Sequence, residues 1–327
     1  DARPLRRLEG GAGGLTMALD HRARGVYAIG ATPFRPDGAL DLDSLDRLTD
    51  FYLGCGCTGL TILGILGEAP KLEPEESLAV AARVLARAGR APVVVGVSAP
   101  GLAAMRRLAR ASMDLGAAGV MVAPPAAMRT DDQIAGYYAQ AVAAMGADVP
   151  VCVQDHPTAT GVQMSVSVIR RIFAEQPSCV MLKHEDWPGL EKLSALRRAG
   201  AEGAMRPISI LCGNGALFLD FEMDRGADGA MTGYAFPDML AELVAHAAAG
   251  RRDAAHDLFD AHLPLLRYEQ QPGVGLAVRK HVLRLRGAIA HDAQRAPGST
   301  LTPAAREEVA YLLGRLARRD ARAAGLG

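Results

Sequence analysis

Residues 149–182 read VPVCVQDHPTATGVQMSVSVIRRIFAEQPSCVML, and this stretch begins and ends with a short apolar run rich in β-branched residues. Such runs are typical of strands that are buried on both faces. Between the two runs, apolar residues recur at the spacing of one helix face: Val168, Ile169, Ile172 and Phe173. The stretch therefore predicts a strand–helix–strand unit, with the helix starting near Ser165 and joining two parallel strands.

The same alternation extends in both directions along the chain. Strands are predicted at residues 25–31, 59–63, 92–97, 119–123, 149–153, 179–182, 208–212 and 229–232, each followed by a segment of helical periodicity. Eight such units in about 225 residues predict a (β/α)8 barrel, the TIM barrel fold. A doubly wound open sheet is disfavoured, because it usually has fewer strands and no Gly-x-Gly-x-x-Gly turn follows the first strand here.

Three segments are predicted along the chain. Residues 1–20 are rich in Gly and Arg without periodicity, so we expect a loose segment outside the fold. Residues 21–250 form the barrel. Residues 251–327 carry only helical patterns, at 253–267, 275–286 and 303–319, and we expect them to pack on the barrel or on a neighbouring subunit.

The composition excludes several classes of protein. Of the 327 residues, 50% are hydrophobic and 22% are charged, so the chain can bury a large core. Its 36 basic and 36 acidic residues balance, which gives no overall attraction to nucleic acid or to an anionic membrane. No apolar run approaches the roughly 18–20 residues of a membrane span. Five cysteines are too few for a disulfide scaffold, so reduced thiols and a cytoplasmic location are predicted.

One lysine stands out at a predicted strand end, where the catalytic residues of such barrels lie. Lys183 directly follows the sixth predicted strand, and it is one of only four lysines among the 36 basic residues. Arginine stays protonated at working pH, whereas a desolvated lysine can lose its proton and attack a carbonyl carbon. Lys183 is therefore a candidate imine-forming nucleophile. The alternative is a structural ion pair with Glu185, Glu68 or Asp155.

Five motifs in chain order resemble the dihydrodipicolinate synthase and N-acetylneuraminate lyase family. They are Ala31-Thr32-Pro33-Phe34, Gly64-x-x-Gly67-Glu68, Pro157-x-x-Thr160-Gly161, Lys183 after the sixth strand, and a glycine-rich end of the seventh strand. The resemblance spans about residues 25–319. It implies a TIM barrel that assembles as a homo-oligomer, commonly a tetramer of tight dimers, and that needs no metal or organic cofactor.

The resemblance also implies a chemistry for Lys183. Family members form an imine between this lysine and the keto carbon of pyruvate or another 2-oxo acid. The protonated imine withdraws electrons and stabilises a carbanion or enamine at carbon 3. Aldol cleavage, aldol addition and the dehydration of 2-keto-3-deoxy acids all pass through that intermediate.

The chain departs from the family pattern at several positions that handle substrate. The threonines of the family's Gly-Thr-Thr-Gly-Glu motif are Ile65 and Leu66 here, which leaves only backbone N–H groups as donors for a carboxylate. The tyrosine that carries protons in the family is Gln154, whose amide does not titrate. Ala159 replaces an arginine that clamps a second carboxylate. These departures argue against dihydrodipicolinate synthesis and against a close copy of sialic acid cleavage.

Roles follow for the strand-end residues. Catalysis is predicted for Lys183, for His156 as an acid–base group near neutral pH, and for Gln154 as a donor to a substrate oxygen. Substrate contacts are predicted for Thr32, Ile65, Leu66, Glu68, Asp155, His184, Gly213 and Thr232. Two interpretations stay open for Glu68, a substrate ligand or a loop anchor. His184 either moves protons or pairs with a neighbouring loop.

The favoured function is a lyase that forms a Schiff base with a small 2-oxo acid and performs aldol chemistry or dehydration. One alternative is a metal-assisted barrel lyase, because the strand ends supply suitable ligand types: Asp155, His156, His184, Glu185 and Glu68. No tight spacing such as His-x-x-x-His supports it, and no metal is predicted. Another alternative is a non-catalytic barrel that binds a 2-oxo acid without turnover.

Overall fold

The computed structural model describes residues 18–187 and 189–327, and its centre is a closed barrel of eight parallel strands in sequential order. The strands are β1 Gly25–Ile29, β2 Gly59–Ile62, β3 Val93–Gly96, β4 Gly119–Val122, β5 Val151–Asp155, β6 Cys179–His184, β7 Ser209–Cys212 and β8 Gly229–Ala230. β8 pairs with β1 and closes the cylinder. The predicted (β/α)8 barrel is confirmed.

Helices follow every strand and continue beyond the last one. They are α1 Leu42–Gly54, α2 Pro74–Ala88, α3 Leu102–Asp114, α4 Asp131–Met145, α5 Pro157–Thr160, α6 Val166–Glu175, α7 Leu190–Ala201, α8 Leu219–Asp224, α9 Pro237–Ala248, α10 Arg252–Glu269, α11 Gly275–Leu285 and α12 Pro303–Leu316. The sequence fixes some boundaries locally. At α4, Thr130 Oγ1 accepts from the backbone N–H of Gln133, whose side chain accepts from Thr130 N, so the first turn begins there.

The strands read as continuous apolar runs because both of their faces are buried. One face packs against the surrounding helices, and the other fills the barrel interior with Tyr27, Ile29, Val94, Met121, Cys152, Met181, Leu211 and Met231. Successive side chains of a strand point to opposite faces. Because Cys152 and Met181 point inward, Gln154 and Lys183 also point inward, while Asp155 and His184 point toward the helices.

The strands around the candidate lysine are longer than the sequence predicts. Lys183 pairs with Gln154 inside the sheet, and His184 pairs with Asp155, so the ladder between β5 and β6 continues through these polar residues. Lys183 is thus the fifth residue of β6 rather than the first residue of a loop. The short helix α5 follows β5 where a loop was expected, and it holds most of the Pro157-x-x-Thr160-Gly161 motif.

The two ends of the chain extend the predicted barrel. Leu19 is buried, its backbone N–H donates to Ala118 O, and it packs on the inner core, so the predicted boundary at residue 20 falls inside the ordered fold. Residues 1–17 lie outside the described residues. The helices after residue 250 pack on the barrel, where Phe259 and Leu266 of α10 join its outer core.

None of the described helices combines the length and the apolar character needed to cross a membrane. The five cysteines are free, and all except Cys55 are buried.

Candidate active site

The mouth of the barrel, at the carboxyl ends of the strands, holds a cavity of about 270 Å³. Six residues with predicted roles line it: Lys183, Gln154, His156, Ile65, Leu66 and Thr232. Other lining residues come from the turn after β7, the end of β8 and the C-terminal helices: Asn214, Gly215, Gly233, Glu269, Gln270 and Arg279. The cavity therefore joins the barrel to its C-terminal extension.

The Lys183 amine lies beside a carboxylate in this cavity. Its Nζ is 2.9 Å from Oε2 of Glu185, and each side chain is only 6% exposed. The ion pair with Glu185 is one of the alternatives raised by the sequence. Both members of the pair line the cavity, so a guest molecule has space next to the amine. Ion pairing and access to a ligand coexist at this position.

Glu185 is the centre of the polar contacts around the lysine. Its Oε2 accepts a hydrogen bond of 2.7 Å from Gln154 Nε2 and lies 3.5 Å from Nδ1 of His156. Its Oε1 accepts from the backbone N–H of Asn214 at 3.2 Å. Burial acts to raise the pKa of the Glu185 carboxyl, but the Lys183 charge, followed by His156 and the Gln154 hydrogen bond, holds that pKa below its ordinary value. The carboxylate is therefore ionised at neutral pH.

A glycine makes room for this carboxylate. A methyl group on Gly213 would lie 2.4 Å from Cγ and Oε1 of Glu185, closer than packed atoms approach. Gly213 has a predicted substrate contact, but it does not line the cavity. Its position underneath Glu185 instead lets the turn after β7 approach the carboxylate closely.

His156 and Gln154 have different surroundings from those expected. Burial lowers the pKa of the His156 imidazole below its ordinary value, and the opposing effect of Glu185 is smaller, so the ring is neutral at pH 7. Gln154 donates to Glu185 rather than standing free for a substrate oxygen. The amide is a positioning group for the carboxylate in this structure.

A second, smaller cavity of about 100 Å³ adjoins the first. The two share Gly64, Ile65, Gln154 and His156 in their walls. The rest of its lining is mostly apolar and includes Leu63, Pro70, Met121 and Ala123, with Ser98 and Thr160 as polar members. Gln154, which lines both cavities, stands at the position of the larger tyrosine of the family pattern.

Thr32 and Glu68 lie outside both cavities. Thr32 Oγ1 donates to Gly67 O at 2.6 Å and so closes the loop after β2. The buried Glu68 carboxylate accepts from Lys280 Nζ at 2.5 Å, from Lys71 Nζ at 2.8 Å and from the backbone N–H of Arg295 at 3.1 Å. These contacts favour the anchor interpretation of Glu68, which ties the β2 loop to α11.

Asp155 and His184 face the helix layer and line neither cavity. Asp155 Oδ2 accepts a 2.8 Å hydrogen bond from Lys192 of α7, and His184 Nε2 lies 2.9 Å from Gly189 O. Burial acts to lower the pKa of His184, but the neighbouring Asp155 carboxylate outweighs it and raises that pKa above its ordinary value. Their orientation follows from strand alternation, which places each of them one residue beyond an inward-facing neighbour.

The part of the site that comes from the C-terminal helices is not predictable from the local sequence pattern. Arg279 of α11 and Glu269 at the end of α10 form a buried ion pair, and Arg279 Nη2 donates to Gly233 O at 2.7 Å. On an amphipathic helix, an arginine reads as ordinary surface charge. The only signal in the sequence for these buried charges is that Arg279 and Lys280 lie on the face of α11 that is otherwise apolar.

The chain is similar to known proteins over most of its length. The sequence model of the dihydrodipicolinate synthetase family matches residues 22–316. The chain belongs to this family. The chain is 32% identical over 307 residues to an L-2-keto-3-deoxyarabonate dehydratase of Azospirillum brasilense, covering 92% of this chain and 97% of that one. It is 31% identical to a 4-hydroxy-tetrahydrodipicolinate synthase of Sorangium cellulosum, covering 91% and 97%.

Solved structures of the dihydrodipicolinate synthetase family share the fold. A crystal structure of a dihydrodipicolinate synthase from Rhodopseudomonas palustris is 62% identical, with a TM-score of 0.91, and covers 91% of this chain and 99% of that one. A second, of a dihydrodipicolinate synthetase homologue from Pseudomonas aeruginosa, is 28% identical, with a TM-score of 0.82 and 90% and 99% coverage. The protein is a lyase of the dihydrodipicolinate synthetase family, as the sequence predicts.

The candidate metal ligands lie on two sides of the barrel wall. Within residues 18–187 and 189–327, no group of three or more His, Cys, Asp or Glu side chains is placed to hold a metal ion. The five candidate ligands of the metal-assisted alternative are divided: His156 and Glu185 face the cavity, whereas Asp155, His184 and Glu68 do not.

Proposed function

We propose that the protein forms an imine between Lys183 and the keto carbon of a pyruvate-like 2-oxo acid and dehydrates a 2-keto-3-deoxy acid. The observation that carries this proposal is the Lys183 amine in the cavity wall, 2.9 Å from the buried Glu185 carboxylate. Dehydration is favoured over aldol cleavage by the similarity to the Azospirillum brasilense dehydratase, which extends over 97% of that protein.

The chemistry begins with proton transfer at the ion pair. Lys183 must lose a proton before it attacks, and Glu185 Oε2 is the acceptor at hydrogen-bond distance. Attack on the keto carbon gives a carbinolamine, whose hydroxyl leaves as water with the proton returned by Glu185. The resulting protonated imine keeps its positive charge beside the Glu185 carboxylate, which stabilises it in a buried site.

Water is then eliminated between carbons 3 and 4. Loss of a proton from carbon 3 converts the imine to an enamine, and the electron pair of the enamine expels the hydroxyl of carbon 4. Because Gln154 cannot titrate, we assign proton movement to Glu185 and the neutral His156 ring, which lies 3.5 Å from that carboxylate. Hydrolysis of the product imine restores the amine of Lys183.

The same residues argue against dihydrodipicolinate synthesis. The hydroxyls of the family's two threonines and tyrosine are absent at Ile65, Leu66 and Gln154, all of which line the cavity. The Rhodopseudomonas palustris structure is described as a dihydrodipicolinate synthase, so the two activities need a direct comparison. As the resemblance implies, we expect a homo-oligomer that acts on a small molecule without a cofactor, and the cysteine content favours a cytoplasmic location.

The decisive assay supplies L-2-keto-3-deoxyarabonate and follows the loss of its carbon-4 hydroxyl through the carbon-bound protons at carbons 3 and 4, by proton NMR. The proposal predicts loss of that hydroxyl as water, and no product in a Lys183→Arg variant, which keeps the charge but cannot form an imine. Release of pyruvate instead would indicate aldol cleavage. Binding without conversion of this or any related 2-keto-3-deoxy acid would support the non-catalytic alternative and contradict the proposal.

A further inference from the structure

Arg279, a residue of the cavity wall, carries a hydrogen-bond donor that has no partner among the described residues. Its side chain is only 3% exposed, its Nε donates to Glu269 Oε1, and its Nη2 donates to Gly233 O. Its Nη1 is also buried, yet it has no hydrogen-bond partner among residues 18–187 and 189–327. A buried donor without a partner costs free energy, so such a group in a ligand cavity points to an acceptor on the ligand.

A glycine leaves the space that this donor occupies. A methyl group on Gly233 would lie 2.2 Å from Arg279 Nη1 and 2.9 Å from Leu66 Cδ1. Nη1 therefore lies where the end of β8 meets the loop after β2. Since Gly233 has no side chain, no Cβ occupies the space beside Nη1, and all three residues line the cavity.

The neighbour of this donor is one of the two positions that lost a hydroxyl. Leu66 stands where the family pattern has a threonine for the substrate carboxylate, and its side chain offers no donor. A guanidinium N–H is a stronger donor to a carboxylate than a hydroxyl is, because the hydrogen bond is charge-assisted. Leu66, which lacks the threonine hydroxyl, and the unpartnered Nη1 of Arg279 are therefore neighbours in the cavity wall.

The charges around the cavity fit a monoanionic ligand. Glu269 balances Arg279, and Glu185 balances Lys183, so each buried pair is neutral in total. Nη1 is the one nitrogen of the Arg279 guanidinium without a hydrogen-bond partner among the described residues, so it offers a position for a single carboxylate. A ligand with a second carboxylate would find no comparable unpaired cation in the lining, which agrees with Ala159 in place of the family's arginine.

We propose that Arg279 is a specificity-determining residue, whose Nη1 donates to the carboxylate of the bound 2-oxo acid in place of the missing threonine hydroxyl. The donor comes from α11, so the C-terminal extension supplies part of the substrate site. This inference rests on the proposed function for the identity of its ligand. Its test compares variants that all keep Lys183, so that imine formation contributes alike to every affinity, and borohydride trapping tests the imine itself.

The test compares pyruvate with methyl pyruvate, its uncharged ester, by titration calorimetry. Arg279→Lys keeps a cation for Glu269 but removes the free N–H, and the paired change Arg279→Met with Glu269→Leu removes both charges together. Each is expected to weaken pyruvate binding by roughly 10- to 100-fold and methyl pyruvate binding by less than about threefold. Adding Leu66→Thr to the paired change is expected to recover part of the pyruvate preference.

A second arginine, at the C-terminal end of the same helix, provides the control. Arg286 pairs with Asp238 at 2.6 Å, is 10% exposed, and does not line the cavity. Arg286→Lys should leave the ratio of pyruvate to methyl pyruvate affinity unchanged. The inference is overturned if the folded Arg279 variants keep the wild-type ratio, or if the wild-type protein does not prefer pyruvate. Pyruvate binding without a covalent adduct would contradict the proposed function alone, since the Arg279 effect would still be read from the calorimetry.

Discussion

Glu185 has more partners than any other carboxylate of the cavity. One oxygen of Glu185 lies within 3.5 Å of the Lys183 amine, the Gln154 amide and the His156 ring, and the other accepts from a backbone N–H. In the family pattern a tyrosine carries protons at this point. Here the titrating group next to the lysine is a carboxylate with a lowered pKa, and Gln154 holds it in place. The Gln154 amide thus positions the Glu185 carboxylate and does not itself take over the proton transfer of the tyrosine.

The first prediction concerns this carboxylate. Glu185→Gln is expected to slow adduct formation at Lys183 by about 100-fold or more, because the proton acceptor for the amine is lost. The rate of borohydride-trapped adduct formation with pyruvate measures the effect. Asp186→Asn is the control, since Asp186 is the next residue and pairs with Lys192 away from the cavity. Equal rates in wild type and Glu185→Gln would show that Glu185 does not handle the proton.

At the scale of single elements, α8 carries a second buried carboxyl behind β7. Burial raises the pKa of Glu222 to about 7, although the nearby His184 charge and a hydrogen bond with Cys212 oppose the rise. The folded protein therefore keeps a proton that the unfolded chain releases near pH 4.5. For such a group, stability is greatest below the unfolded pKa and falls as the pH rises toward the folded pKa.

Glu222→Gln tests this linkage, because the amide cannot ionise. Relative to that variant, the wild-type protein is expected to lose on the order of 3 kcal/mol of unfolding free energy between pH 5 and pH 8. Urea unfolding at both pH values measures the difference. Glu191→Gln, at a carboxylate that is 84% exposed, should show no such trend. Parallel pH profiles for wild type and Glu222→Gln would rule out a raised pKa.

The helix α11 connects the extension to the barrel mouth through a different buried charge. Lys280 Nζ is fully buried and donates to Glu68, to Thr32 O and to Ala293 O. Burial lowers the pKa of this lysine, and the Glu68 carboxylate opposes the shift. The contact holds the loop after β2, which forms one wall of the cavity.

Lys280→Met is expected to destabilise the protein by about 3–5 kcal/mol, because Glu68 would lose its buried partner. Lys71→Met, which removes the more exposed lysine of the same carboxylate, should cost at most about 1 kcal/mol. Chemical denaturation of both variants gives the comparison. A similar small loss in both would mean that Glu68 does not depend on α11.

At the scale of the whole molecule, the sequence predicts the barrel because its strands are apolar on both faces and its helices keep their period. It also predicts Lys183, because a chain that uses arginine almost everywhere keeps a lysine at a strand end. The direction of each polar strand residue is harder to predict, since it depends on register. Asp155 and His184 lie one residue from inward-facing neighbours and therefore face the helices.

Contacts between distant segments account for the remainder of the site. Apart from the Arg279-Lys280 pair, nothing in the local pattern of α10 and α11 distinguishes the buried Glu269 and Arg279 from exposed charges. Likewise, the sequence leaves both a ligand and an anchor open for Glu68 until the position of Lys280, more than 200 residues later, is known. The fold and the candidate nucleophile are thus encoded locally, whereas the walls of the cavity depend on tertiary packing.

The most direct test of the central claim is reduction with borohydride in the presence of pyruvate or a 2-keto-3-deoxy acid, followed by peptide mass spectrometry. The account predicts a stable adduct on Lys183 in the wild-type protein and in Lys192→Met, whose lysine pairs with Asp155 outside the cavity. It predicts none in Lys183→Arg. A wild-type protein left unmodified by every such acid, or modified at another lysine, would contradict the account.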